Sequence, residues 1–347
     1  MSNKIVMLIL SIILLAAVSC SSSEGAAVAQ DGTIELRLGY FPNITHSQPL
    51  VGLAQGAFDK AGPNIKLETK TFNAGPSAIE ALFAGAIDAT YIGPNPAING
   101  YVKSSGKVLR IVAGATSGGA SFIVRPDSGI QKAADLAGKK IATPQLGNTQ
   151  DVALRGYLLA NGLNSKEKGG TVNVIPTANP DIMTLFQKGQ IAGAWVPEPW
   201  ATRLINEAGG KVFMNEQDLW PGGDFVTTHL IVRKEFLDKH PEAVEALVEA
   251  HVGVTQWINA NPEEAKVLVN EGIREVTGAA LPQQTIDGAW KNLRVTYDPV
   301  SSSLHKSAAN AFKLGFLGDK DPDLTNIYDL SILSRVLDKK GLPAVGQ

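Results

Sequence analysis

Cysteine is nearly absent: Cys20 is the single one in 347 residues. One thiol excludes a disulfide framework and any metal cluster built on several thiolates. A basic excess is missing too. The 31 Lys and Arg stand against 33 Asp and Glu, for a net charge of −2. A nucleic-acid binder normally carries a basic surplus to neutralise phosphates, so no nucleic-acid partner is expected. Beyond the first twenty residues, apolar runs are broken by Gly, Pro or charge. None reaches the ~20 residues that a membrane-spanning helix needs. The five His, at 46, 229, 240, 251 and 305, form no HExxH and no close pair, so no metal is expected. No GxSxG elbow, phosphate-binding GxxxxGK[ST] or GxGxxG is present; Gly114–Gly119 reads GATSGG, with the wrong spacing. These absences argue against an enzyme and imply no cofactor.

What is there describes a globular chain. Hydrophobic residues make up 44% and charged residues 18%, enough to bury a core. At ~150 residues per domain the length suggests about two domains. The start is an address. Lys4 precedes an uncharged apolar run from Ile5 to Val18, then Cys20 and Ser21–Ser23. A positive start, an apolar stretch and a small-residue exit mark a secretory signal. With its Cys at the exit the segment resembles a bacterial lipoprotein signal, in which that Cys becomes the lipidated N-terminus. Ala17 departs from the Leu that the pattern favours. Ala27-Val28-Ala29 fits an ordinary cleavage site as well. The expected layout is a signal peptide at 1–19 and a polar, flexible tether at 20–32.

After the tether, strands alternate with helices. Strands are expected at 34–41, 65–72 and 89–92, with helices at 47–60 and 77–84. The pattern restarts with strands at 140–143, 172–176 and 192–196 and helices at 149–159 and 181–188. Such alternation builds βαβ units around mostly parallel sheets. A shift of 104 positions superposes the two runs: Ile79 meets Met183, Leu82 meets Phe186, Gly85 meets Gly189, and Tyr91 meets Trp195. Ser77 meets Asp181, both good N-caps. The chain therefore reads as an α/β protein with two lobes of the same build. From Arg233 onward it is mostly helical, too poor in strands for a third sheet. Lobe one is then 33–124 with 228–347, and lobe two is 125–227. Phe122–Val124 and Thr228–Val232 form a two-strand hinge between them.

Loops that follow parallel strands line the ligand crevice of open α/β sheets. Here they carry Asn43, Thr45, His46, Gly75, Ser77, Asn95, Gln145, Gly147, Asn148 and Thr149, and no Lys or Arg occurs over 73–101 or 141–154. Neutral donors at helix N-termini suit a small anion. Each cap residue could equally serve only its own helix. Glu198, between Pro197 and Pro199, could meet a ligand or brace the hinge.

The stretches GYFPN (39–43), AGPSAIEALFAGAIDATYIGPNPAING (74–100), AGATSGGASFIVRPDSGI (113–130), DLAGKKIATPQLGNTQDVALRGYL (135–158), AWVPEPWATRLINEAGGKVF (194–213) and DLWPGGDFVTTHLIV (218–232) carry a resemblance. The chain resembles solute-binding proteins of bacterial ABC importers for aliphatic sulfonates and taurine. The wider group includes binders of nitrate, bicarbonate and thiamine precursors. The resemblance implies a type II periplasmic-binding architecture, a small anionic ligand (a sulfonate first), an ABC permease as partner, and an extracytoplasmic, lipid-anchored monomer. It also implies sulfonate donors at Gly75, Pro76 and Ser77 in lobe one and at Gly147, Asn148 and Thr149 in lobe two. Asn95, Gly119 and Glu198 would line the cleft. Pro76 has no N–H and would fix the turn. The FPNITHSQP loop with His46 departs from the sulfonate pattern. Nitrate, bicarbonate or a pyrimidine precursor are thus the alternatives, with a thiamine-precursor enzyme of the same fold as the rival outside binding proteins.

Overall fold

The computed structural model describes residues 32–58 and 64–346. The expected signal peptide, Cys20 and almost all of the tether lie outside the described residues. Strands β1 (Ile34–Tyr40), β2 (Ile65–Thr71), β3 (Ala89–Ile92) and β4 (Leu109–Gly118) come first. Next are β5 (Ala120–Val124), β6 (Lys140–Thr143), β7 (Asn173–Pro176), β8 (Gly193–Pro197) and β9 (Lys211–Asn215). The chain returns through β10 (Val226–Arg233) and β11 (Leu293–Val295). Helices α1 (Ser47–Ala54), α2 (Gly75–Phe83) and α3 (Pro94–Lys103) belong to the first run, and α4 (Thr149–Ala160), α5 (Asn179–Gln187) and α6 (Trp200–Ala208) to the second. Six more close the chain: α7 (Lys234–Lys239), α8 (Pro241–Ala260), α9 (Pro262–Thr277), α10 (Gln283–Trp290), α11 (Ser301–Lys313) and α12 (Ser331–Lys339).

Two sheets result. One has the order β11-β4-β10-β3-β1-β2, the other β7-β6-β8-β5-β9. In each, the first βαβαβ run lays its strands second-first-third in parallel, and an antiparallel strand pairs with the third. The internal repeat is thus physical. Helix α5 begins and ends 104 positions after α2, and β8 begins 104 after β3. Gly85 and Gly189 follow those helices at φ 67° and 68°, the left-handed stop that a side chain resists.

Alternate residues along each sheet feed separate apolar layers on its two faces. Leu38, Tyr91, Val112 and Leu230 pack on one face of the first sheet, and Ile92, Ile111 and Ile231 on the other. Phe122, Ile141 and Trp195 oppose Ile123, Ala142 and Val196 in the second. This two-sided burial is what a mostly parallel sheet with helices on both faces requires.

Three expectations need correction. Helices α2 and α5 start at Gly75 and Asn179, so Ser77 and Asp181 sit inside the first turn while Ala74 and Ala178 are the caps. The cause is Pro76 and Pro180, which occupy the first turn where a missing N–H costs nothing and φ is already helical. Helix α1 ends at Ala54 rather than at residue 60, with Gly56 in the left-handed region at φ 59°. Finally, Phe122–Val124 does not carry the chain between sheets. Strand β5 lies wholly in the second sheet, between β8 and β9. The chain crosses instead at Gly118 and Gly119, whose successive positive φ values of 79° and 77° turn it from one sheet into the other. It returns between Asn215 and Val226.

Candidate functional site

The carboxyl ends of the central parallel strands of the two sheets face one small cavity. Asn73 and Ala74 lead into α2, Gly93 into α3, Asn148 and Thr149 into α4, and Asn179 opens α5. Asn43, Thr45 and His46, between β1 and α1, complete one side together with Phe41. Gln150, Pro197, Thr227 and Thr228 close the rest. Five helix N-termini therefore meet around one space. The caps His46, Ala74, Gly93, Asn148 and Ala178 make no side-chain capping bond. The first-turn N–H groups are not consumed by their own caps, and the aligned peptide dipoles add roughly half a positive charge at each terminus. Among the described residues, the wall contains no Asp, Glu, Lys or Arg. The cavity is ≈ 20 Å³ as it stands, room for about one water, so a larger guest enters only as the wall opens.

Three wall atoms are buried and without a partner: Thr149 Oγ1, Asn179 Oδ1 and Thr228 Oγ1. An orphaned buried polar atom costs about 1–3 kcal/mol, so their gathering at one cavity marks a place that a polar guest completes. His46 is fully buried, which pushes its pKa down to about 3. The Phe41 N–H donates to His46 Nδ1 at 3.3 Å, and the two rings stack at 4.4 Å. A ring nitrogen that accepts a hydrogen bond carries no proton, so the neutral imidazole keeps its hydrogen on Nε2. The Trp200 indole N–H donates to Asn43 Oδ1 at 3.1 Å, which leaves the Asn43 NH2 as the group able to donate elsewhere.

Contacts across the seam hold the lobes together. Trp200 to Asn43 is one, and Asn99 Nδ2 donates to the Gly147 carbonyl at 3.4 Å. Gly93 lies so near Thr149 Oγ1 that a Cβ there would come inside 3.0 Å. Behind the wall, Asp151 braces the 144–148 loop. Its carboxylate accepts from Gly147 N–H and from Thr143 Oγ1 at 2.9 Å each, and from Arg155 Nε at 3.0 Å.

Of the residues singled out in the sequence, Asn43, Thr45, His46, Asn148 and Thr149 are in the wall. Gly75 stands one row behind, where an added Cβ would approach Asn148 Oδ1 at 3.1 Å. Ser77 Oγ donates back to the Ala74 carbonyl at 3.0 Å. Asn95 is buried beside the site with its Nδ2 unpartnered, outside the wall. Pro76 and Gly147 border a separate groove with Leu146 and Phe83. The Gln145 and Gly119 carbonyls accept from Asn148 N–H and Glu198 N–H at 3.0 and 2.9 Å. Glu198 is away from the cavity. Its carboxylate accepts from Thr202 N–H and Thr202 Oγ1 at 3.0 Å and from Asn292 Nδ2 at 2.7 Å, and burial raises its pKa. It borders a wider ≈ 730 Å³ groove between α6 and α10, where Asp287 and Lys291 also sit.

The residues missed are instructive. Asn179 is Gly75 shifted by 104 positions, so the repeat itself could have found it. Thr227 and Thr228 had no such signal. They arrive on the antiparallel strand β10, which pairs with β3 from His229 onward and so brings its start past the end of that strand.

The architecture defines a class: two βα lobes around an interlobe cavity ringed by helix N-termini make the two-lobed fold that solute-binding proteins share. The chain belongs to the NMT1-like family, whose profile matches residues 29–271. It is 30% identical over 241 residues to a binding protein of Brucella abortus, covering 69% of this chain and 72% of that one. It is 28% identical over 220 residues to the taurine-binding periplasmic protein of Escherichia coli, covering 63% and 66%. In fold it is similar to the alkanesulfonate-binding protein SsuA from Xanthomonas axonopodis pv. citri bound to MOPS, with a TM-score of 0.69, 18% identity, and coverage of 89% of this chain and 99% of that one. Among the described residues, no helix is long and apolar enough to cross a membrane.

Proposed function

We propose that this protein is the extracytoplasmic binding component of an ABC importer, and that it captures a small organosulfonate between its lobes for delivery to a membrane permease. The carrying observation is the convergence of five helix N-termini on a wall without an ionised side chain. Helix termini and neutral donors stabilise a single negative charge. They also let it go without breaking a strong ion pair, which suits a carrier. The taurine and alkanesulfonate names of its relatives support the sulfonate class. In this reading the mature chain is a monomer anchored through lipidated Cys20, and residues 20–32 tether it to the membrane.

Calorimetric titration of the mature chain with ethanesulfonate, taurine, nitrate, bicarbonate and hydroxymethylpyrimidine tests the reading. A sulfonate response is expected. Nitrate or bicarbonate binding without one would replace the sulfonate by a smaller oxyanion, and binding of the pyrimidine alone would end the anion reading.

A further inference from the structure

The cavity offers an anion several neutral donors and a cation no charged partner, with Asn179 Oδ1 as a neutral acceptor. We infer that the guest's tail is uncharged, so that the protein rejects a sulfonate bearing an ammonium group even when its shape fits. This rests on the proposed capture of a sulfonate and narrows the class within it.

Among the described residues, no carboxylate reaches the wall. Each acidic group close to it in sequence is engaged elsewhere. Asp151 is held by Gly147, Thr143 and Arg155 behind the 144–148 loop. Glu198 is held by Thr202 and Asn292 outside the cavity. Asp181 lies exposed on α5 beside Thr177. Aromatic faces near the wall, the other means of holding a cation, are partly taken. His46 stacks on Phe41, and the Arg203 guanidinium lies 4.8 Å from the Trp200 ring centroid. An ammonium carried into this space would give up its water with no charged partner in return, which is among the costliest burials a side chain or ligand can face. The five helix termini would oppose it as well, since they present the same sign.

The test compares two ligands of one shape. Propane-1-sulfonate and taurine match heavy atom for heavy atom and differ in the terminal methyl or ammonium. Titration of the mature chain with each should show taurine weaker by about 30-fold or more, a factor in keeping with an unpaired buried charge. A smaller ratio overturns the inference and leaves sulfonate capture standing. If neither sulfonate binds, the proposed function falls and this inference with it. Asn179→Asp places a carboxylate on the wall and should narrow the ratio at least tenfold; an unchanged ratio would show that the wall charge does not set the choice.

Discussion

Replacing Gly93 by Ala tests whether closure of the lobes makes the binding site. Gly93 caps α3 with φ −68°, a conformation that Ala adopts freely, so the backbone of lobe one has no reason to move. The obstacle is across the seam. The new Cβ would fall inside 3.0 Å of Thr149 Oγ1, with the Thr227 carbonyl at 3.5 Å on the other side. Restoring ordinary contact requires the lobes to part by the order of 1 Å at this point. A hydrogen bond stretched by that much is lost by geometry alone. Asn99 to Gly147 at 3.4 Å and Trp200 to Asn43 at 3.1 Å would go, as would ligand contacts from one lobe. With two or so bonds at ~1 kcal/mol each, affinity should fall about 10- to 30-fold. Calorimetry with the best ligand of the screen reads this, and the melting temperature without ligand should barely change. A double-mutant cycle with Thr149→Ala adds a control. If the clash is the cause, Gly93→Ala should cost little in the Thr149→Ala background. Wild-type affinity in Gly93→Ala, or an equal penalty in both backgrounds, would refute the closure argument.

Asn148→Leu should weaken binding more than tenfold, since it removes a wall amide from the cap of α4; an unchanged Kd in the same titration would take Asn148 out of the site. Ligand affinity should stay flat from pH 6 to 8, because His46 is the one titratable wall residue and burial holds its pKa at about 3, so a Kd that follows a His titration would contradict the neutral imidazole. Stability should respond to acid where binding does not. Burial lowers His46 to about 3 and His229 and His251 to about 4 each. Their folded pKa values lie below the unfolded one, so their contribution is present above about pH 6.5 and fades as pH falls toward the folded values. Glu216, raised by burial to about 7, works the other way: its share is full below about pH 4.5 and is lost as pH rises through 7. Glu198 and Asp151, also raised by burial, oppose the histidines in the same sense. Replacing His251 by Gln removes one of the imidazole contributions, so this variant should lose about 1 kcal/mol less stability than the wild type between pH 7 and 5.5. Urea unfolding of both proteins at the two pH values measures it, and an equal pH response would refute the neutral buried imidazole.

The two-lobed build was legible because it is written locally and twice. Gly85 and Gly189, the apolar helix faces and the aromatic strands recur at one spacing, and local backbone preference suffices to place such elements. The supply of neutral donors was legible as well, since strand-following loops without Lys or Arg can be read directly. Where two local signals competed, as Pro76 and Pro180 did against the capping preference of Ser77 and Asp181, the helix began one residue before the proline.

The wall itself was decided by tertiary structure. Thr228 faces Thr149 and Asn179 because an antiparallel strand returns from more than a hundred residues away, and no local pattern records where its register will fall. Glu198 was drawn to Asn292 instead of to the cleft by a contact that exists once α6 packs on α10. Sequence alone determined the repeat, the stops and the neutral chemistry of the loops, since each depends on residues within a turn or two. Which of those loops share a cavity, and which carboxylates are kept out of it, depended on how two sheets were brought face to face, which is set by packing summed over the whole chain.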